Sequence, residues 1–500
     1  MEAYALETSG GSFRGSRGRF ESVVSWLDGE EAADLTHAEL EARLQVDGRE
    51  LLRQLLQDHL DLRAERETRP AAVIGAGGVA RGSAEAGRER KLATVFGDVQ
   101  VRRLAYRARG HADLHPADGA LNLPDEQDSH GLRRLAAIES ARGSFAESAA
   151  SVEQITGQRL GNRQVEQLAQ RAAVDFDQFY ASRPRHLCEA GEVLVLSCDG
   201  KGIVMRPQAL RAATATAAGN ATRKLATRLS KGEKRNRKRM AEAGAVYDAT
   251  PVPRTPGDIL PAADTPPSPG PKARGKWLVA SVTHDAAKVI GQVFDEAARR
   301  DPGQHRTWVA LVDGTTHQIQ RIQAEARTRG VDVTIVVDVV HVLEYLWNAA
   351  WCFFAEGDPD AETWVRDHAL RILHRRASDV AGAIRRKATR AGLAPGERRN
   401  ADTAATYLTN KRPYLDYPTA LEAGWPIATG VIEGACRHLV QDRMDLTGAR
   451  WGLDGAEAIL KLRALRANGD FDTYWAYHLA QERQRVHQAR YANGVIPATR

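Results

Sequence analysis

The sequence predicts an α/β core set between helical segments, and three observations predict it. Short apolar runs ending at aspartate recur in the middle of the chain: Val193-Leu194-Val195-Leu196 leading to Asp199, Trp308 to Val312 leading to Asp313, and Thr334 to Val337 leading to Asp338. Runs of this length followed by turn or helix signals read as strands buried on both faces of a sheet. On either side of them the apolar residues recur at helical spacing, with helix-start signals in front.

The first twenty residues mix Gly, Ser, Arg and Glu without an apolar leader segment and read as a flexible tail. Thr36 and Glu39 form a capping box, after which Leu40, Leu44, Leu51, Leu52, Leu55, Leu56 and Leu60 recur at helical intervals. Pro70 to Arg90 is rich in Gly and Ala and reads as a linker. Gly97-Asp98 suits a two-residue hairpin turn between Thr94-Val95-Phe96 and Val99-Gln100-Val101. Ser144 and Glu147 form a second capping box, and the helix they start is expected to stop near Thr156-Gly157. A further helix runs from about Asn162 through Val165, Leu168 and Ala172. This pair fits a DNA-reading helix-turn-helix, and it equally fits an ordinary helical hairpin.

Within the core, Ala245 to Tyr247 reads as another strand and Ala286 to Arg300 as a helix. Arg223 to Arg239 holds nine Lys or Arg against one Glu, and Pro251 to Pro271 holds eight of the twenty prolines, so an extended, mobile connection is expected there. Glu356 to Ala423 is helical and Arg-rich, and the chain from Ala456 onward is helical and basic. The expected domains are 1–90 (helices and linker), 91–185 (hairpin and helix-turn-helix-like region) and 190–345 (core, with the basic and Pro-rich insertion at 210–276). They continue with 346–424 (helical insertion) and 425–500 (the Glu433 helix and C-terminal helices).

Composition narrows the class. With 43% hydrophobic and 27% charged residues the chain is globular, and its net charge of +6 is too mild to identify a nucleic-acid binder unaided. Cys188, Cys198, Cys352 and Cys436 include no CxxC pair, which argues against zinc of the usual spacing and against a disulfide scaffold. The most apolar stretch, Val333 to Phe354, carries Asp338, His341, Glu344 and Asn348, so a strand followed by a helix is expected there and no membrane span. The expected location is the cytoplasm.

Aspartates at the carboxyl ends of neighbouring buried strands lie where ligands bind in open α/β sheets, although Asp-Gly is also plain turn chemistry. Three of them, with Glu433 downstream, favour a carboxylate cluster, which repels itself unless a cation neutralises it. Hard oxygen ligands suggest Mg²⁺ or Mn²⁺, and a pair of such ions about 3.5–4 Å apart clamps both oxygens of a phosphoryl displacement. Glu433 has Thr429 before it as a candidate N-cap and Arg437 four residues on. A surface Glu–Arg pair and a carboxylate edging the apolar face of Val431, Ala435 and Leu439 both fit that pattern. No Gly-rich loop ends in Gly-Lys-Ser/Thr and no nucleophile elbow is present, which excludes a P-loop NTPase and a Ser-His-Asp hydrolase. Lys201 stands where a haloacid dehalogenase-type phosphatase wants its second Asp.

Ser197-Cys198-Asp199-Gly200-Lys201-Gly202, Gly232 to Met240, Leu311-Val312-Asp313-Gly314, Asp338-Val339-Val340-His341 and the block Gly430 to Trp451 resemble bacterial insertion-sequence transposases of the ISKra group, within the Mutator-like class. The resemblance runs from about residue 90 to the C-terminus and is most specific from Gly430 to Trp451. It implies an RNase H-like catalytic core with a helical insertion, preceded by a mainly helical DNA-binding region and followed by a helical C-terminus. Carried over by position, the catalytic and metal-binding triad is Asp199, Asp313 and Glu433, with two Mg²⁺ or Mn²⁺ ions. Asp338 competes for the second place, but the order strand, strand, helix, strand puts Asp313 on the fourth strand of the implied topology. Asp338-x-x-His341 then looks like the CxxH motif of related transposases, with Asp in place of Cys. His341 orients DNA or a carboxylate in one reading and is a packed core histidine in the other.

The implied activity is metal-dependent cleavage and strand transfer of an insertion element. The implied partners are double-stranded DNA, as element ends and target, and further copies of the chain, at least a dimer on DNA, in a nucleoid-associated setting. A nuclease on the same core, or a catalytically silent DNA-binding protein, is the alternative. Lys234, Arg235, Arg237, Lys238 and Arg239 are expected to grip phosphates without reading bases, with steep salt dependence.

Overall fold

A computed structural model of the chain describes residues 12–184, 191–220, 237–261, 266, 268–446 and 448–499. It is a mixed α/β protein whose chain divides into two compact units, Met1–Tyr180 with Asp470–Arg500, and Ala181–Gly469.

The first unit opens on an antiparallel helix pair, α1 (Arg14–Leu27) and α2 (His37–Glu65). Both hydrogen bonds of the Thr36–Glu39 capping box are made, whereas the segment read as a tail is already helical at Arg14. The linker reading of Pro70 to Arg90 fails as well. Strand β1 (Ser83–Thr94) starts inside it and pairs with β2 (Gly97–Arg107). Much of this hairpin is held by cross-strand charge pairs such as Lys91–Asp98 and Arg102–Glu89, so apolar alternation never announces β1. The turn is Val95-Phe96 and not Gly97-Asp98, because Thr94 pairs with Gly97. The Thr94 hydroxyl closes it, accepting from the Phe96 N–H at 3.2 Å and donating to the Gly97 carbonyl at 2.7 Å. Leu56 and Leu60 of α2 pack on Leu92, Val99 and Val101 of the hairpin.

Three helices follow, α3 (His130–Arg142), α4 (Phe145–Thr156) and α5 (Asn162–Ala172). The Ser144–Glu147 box is formed, and Gly157 ends α4 at φ 74°. Helix Phe471–Glu482 belongs to this unit and completes a buried ionic cluster. In it Arg133 meets Glu482 at 2.5 Å, and His478 lies 2.7 Å from Asp175, which Arg485 also contacts at 3.0 Å.

The second unit is built on a five-stranded sheet. Its strands are β3 (Val193–Val204), β4 (Lys238–Ala249), β5 (Ala273–Ser281), β6 (Trp308–Val312) and β7 (Val333–Val337), in the spatial order β5-β4-β3-β6-β7. Strand β4 runs antiparallel to both of its neighbours, β3 and β5, and β6 and β7 run parallel to β3. The sequence gives little sign of β5, whose first half carries Arg274 and Lys276 and whose apolar part is only Trp277 to Ala280. Helix α6 (Ala286–Arg300) packs on β4 so closely that a Cβ on Gly244 would fall 2.4 Å from Val293.

Helices α7 (Thr316–Arg329) and α8 (Val339–Ala350) follow β6 and β7. The insertion then runs as α9 (Pro359–Leu373), α10 (Ala377–Arg390), α11 (Arg399–Lys411) and α12 (Tyr417–Glu422). Helix α13 (Gly430–Ala435) passes directly into a π-helical turn, Cys436–Gln441, and α14 (Leu453–Ala467) lies further on. Among the described residues no helix is long and apolar enough to cross a membrane.

Candidate functional site

The pairing register puts the three aspartates side by side. Leu194 to Ser197 pair with Trp308 to Leu311, and Trp308 to Val312 pair with Val333 to Val337. Continued by one or two residues, the same register sets Asp199 beside Asp313 and Asp313 beside Asp338. The ladder does reach that level, since the Asp338 N–H donates to the Val312 carbonyl at 2.8 Å. Neighbouring strands lie about 4.8 Å apart, so the outer two aspartates are separated by roughly 10 Å of backbone. Asp313 and Asp338 directly follow their strands, as expected. Asp199 does not sit at a strand tip, because β3 runs on to Val204 along β4.

Asp338 is fully buried and serves as a brace. One carboxylate oxygen accepts from the Val340 N–H at 2.8 Å and caps α8. The other accepts from the N–H of Thr429 at 3.2 Å and from its hydroxyl. That hydroxyl also lies 3.0 Å from Glu433 Oε1, so a single proton stands between two carboxylates. Asp338, His341 and Glu433 each offer a ligand atom, and these atoms lie within 4.8 Å of one another. Burial opposes charge on His341. The hydrogen bond to Glu344 at 3.0 Å and the fields of Asp338 and Asp313 outweigh it and raise its pKa.

Glu433 therefore joins Asp338 and His341, and among the described residues it does not converge with Asp199 and Asp313 to that distance. What reaches Asp199 is Cys436, three residues further along the same helix. Burial, the Asp199 charge and a hydrogen bond to that carboxylate push the Cys436 thiol up. The helix thus touches both ends of the row of aspartates, Glu433 at one and Cys436 at the other. Its turn widens to π geometry at Cys436, a distortion often found at functional sites.

Asp313 is held from the insertion. Its carboxylate accepts from the Thr315 N–H at 2.7 Å and the Thr315 hydroxyl at 2.8 Å, opening α7. Tyr407 of α11 donates its hydroxyl to the Asp313 carbonyl at 2.9 Å and stacks on Tyr345, ring centres 3.9 Å apart. Lys411, one turn on, reaches the Thr316 hydroxyl at 2.7 Å. Gly314 is required here: its φ is 92°, and a Cβ would lie 2.5 Å from the Tyr407 hydroxyl oxygen.

A cavity of about 420 Å³ is lined by Asp199, Asp313, Glu242, Asp285 and Arg211, with Val289 among its apolar walls. Glu242 pairs with Gly200 in the β3–β4 ladder, one residue on from Asp199. Burial and then the Asp199 charge raise its pKa, with Arg211 opposing. Sequence reasoning missed Glu242, Cys436 and Tyr407, and it took Thr429 only as a candidate N-cap, the position it does occupy. Glu242 alone left a trace, as a single charge in the small apolar run Met240 to Val246.

The basic segment divides. Lys234 and Arg235 lie outside the described residues. Lys238 is exposed at the start of β4, and Arg237 precedes it, half-buried. Arg239 is a structural group: its guanidinium donates to the carbonyls of Val282 at 2.8 Å and Ala209 at 3.2 Å. Trp451, the last residue of the most family-like block, docks on the end of β3. Its N–H donates to the Val204 carbonyl at 3.1 Å, and its own carbonyl accepts from Arg206 at 2.8 Å. Comparison with models of known protein families and with curated proteins returns no match.

Proposed function

We propose that the chain is a metal-dependent DNA transposase with an RNase H-like core. One observation carries the reading. Asp199 on β3, and Asp313 and Asp338 just past the ends of β6 and β7, fall on the continued register of three adjacent strands in a sheet ordered β5-β4-β3-β6-β7, and the Glu433 helix reaches Asp338 through Thr429 and Asp199 through Cys436. The mixed sheet supports this reading, as do helices α9 to α12 ahead of Glu433, where the resemblance implies a helical insertion.

The donor set fits a divalent cation. The carboxylates are hard oxygen ligands of the kind such a cation takes, and Asp199 and Asp313 share the lining of one cavity with Glu242 and Asp285. Asp199 and Asp313, which line one cavity, would hold Mg²⁺ or Mn²⁺, and Glu433, which stands with Asp338 and His341, would have to swing toward them to complete the set. The ions, when bound, supply charge neutralisation at the phosphate and activation of the attacking oxygen. Asp338 keeps its bracing role, because all its hydrogen bonds hold the α8 start and the approach to α13.

No side chain in the site is prepared as a nucleophile. Ser197 shares a face with Asp199 but is buried, with no base against its hydroxyl among the described residues. Burial and the adjacent carboxylate keep the Cys436 thiol protonated. Water would therefore cut, the freed 3′-hydroxyl would join, and no protein–DNA adduct would form.

The test is a strand-transfer assay in Mg²⁺ on duplexes carrying the inverted repeats that flank the gene. Joined products support the proposal. Cuts without joining would make the chain a nuclease, and neither cutting nor joining in Mg²⁺ or Mn²⁺ would overturn both.

A further inference from the structure

The helix pair α1–α2 leaves a large apolar surface uncovered. Phe20, Val24 and Leu27 are 57, 46 and 42% exposed, and Leu44 and Leu55 of α2 are each 38% exposed. Val46 and Leu52 of α2, 61 and 46% exposed, project from other sides of that helix, and the remaining exposed large apolar residues among those described are scattered along the chain. Single exposed leucines are ordinary, but a contiguous patch is a contact surface in search of a cover.

The patch lies on one side of the pair. On α1 the residues meeting α2 are Ser16, Arg19 and Trp26. They meet Asp58, Glu50 and Arg43 on α2, which makes the helices antiparallel. At about 100° per residue, Phe20, Val24 and Leu27 lie roughly a quarter-turn from that contact line. Leu44 and Leu55 lie roughly a quarter-turn from the corresponding line on α2, in the same rotational sense along the chain. In antiparallel helices, equal turns of the same sense point to the same side. Leu56 and Leu60, which pack on the β1–β2 hairpin, lie well round from the Leu44–Leu55 line.

We infer that this face is where a second copy of the chain docks, the two hairpins closing into an antiparallel four-helix bundle. Charge argues for a copy as the occupant. Helix α1 carries three arginines and one glutamate, while α2 carries seven carboxylates against four arginines. A two-fold axis lays each basic α1 across its partner's acidic α2 and does so twice, since a two-fold contact repeats every pairing. Phe20, Val24 and Leu27, four and three residues apart on α1, have the spacing of half a bundle seam.

The experiment is sedimentation of the full-length protein without DNA at micromolar concentration. Wild type is expected to be a dimer that weakens as salt rises. Phe20→Glu with Leu55→Glu should raise the dissociation constant by on the order of a hundredfold, with the circular dichroism unchanged. If that variant loses helicity, Val24→Ser with Leu44→Ser places milder changes on the same face and should still weaken the dimer. A wild-type monomer, or a folded variant as dimeric as wild type, overturns the inference. Neither result bears on strand transfer, so the two proposals stand or fall separately.

Discussion

The Tyr407 hydroxyl donates to the backbone carbonyl of Asp313 across 94 residues of chain. The helical insertion is thereby tied to the turn that carries the second aspartate.

Tyr407→Phe keeps the stack on Tyr345 and removes this one hydrogen bond. It should destabilise the second unit by about 1 kcal/mol, read by denaturant unfolding. Gly314→Ala should cost more, about 1–3 kcal/mol, because it adds a left-handed backbone penalty to a clash with the Tyr407 hydroxyl.

Asp199→Asn, Asp313→Asn and Glu433→Gln should each abolish DNA cleavage while leaving DNA affinity and melting temperature near wild type. Asp338→Asn should instead lower stability, because the buried carboxylate accepts from Val340 and twice from Thr429. Thr429→Val should do the same by about 1–3 kcal/mol. A stable but inactive Asp338→Asn, beside an active Asp313→Asn, would exchange the roles assigned to these two residues.

Changing Lys234, Arg235, Arg237 and Lys238 together to Ala should lower affinity for any duplex and flatten the plot of log K against log salt. Arg239→Ala should act mainly on stability, since its guanidinium holds two carbonyls. An unchanged salt slope in the fourfold variant would take the segment off the DNA.

The ionic cluster of the first unit predicts acid sensitivity. Burial works against charge on Asp175 and Glu482. Hydrogen bonds from His478 and Arg485 to the first, and from Arg133 to the second, overcome it and lower both pKa values. Groups lowered on folding contribute stability above their unfolded values, about 3.9 for Asp and 4.3 for Glu. That stability is lost as pH falls through the lower folded values. Urea midpoints should therefore drop below about pH 4 and hold above about pH 5 as far as these two groups govern them. Arg133→Met should cost about 3–5 kcal/mol by leaving Glu482 buried without its guanidinium, and adding Glu482→Leu should recover much of it.

Elements defined by local chemistry were legible in the sequence. The two capping boxes, the Gly157 stop, helix Ala286–Arg300 and strand Trp308–Val312 all depend on residues a few positions apart. The β1–β2 hairpin and β5 were hard to read because charged side chains occupy positions that alternation needs apolar. In the site, the offset between Asp199 and Asp313 equals the offset of their strand pairing, from Leu194 to Trp308. Strand runs alone could suggest that match but could not fix its register. The partners of Glu433 were illegible, because which carboxylate a helix meets depends on how it crosses the sheet. A thiol one turn beyond it carries no charge pattern to betray its place.

The central position of β3 has a consequence for the order in which the molecule is made. On one side it pairs with β4, whose first described residue lies 34 positions after the end of β3. On the other it pairs with β6, 114 residues away, and that closure costs more chain entropy. A growing chain can form the antiparallel half first, while the parallel edge of β3 stays open until β6 and β7 emerge. Ribosome-bound fragments ending near residue 300 should thus carry an unpaired strand edge and bind chaperones or self-associate. Fragments that include β7 should lose that stickiness well before Glu433 is synthesised.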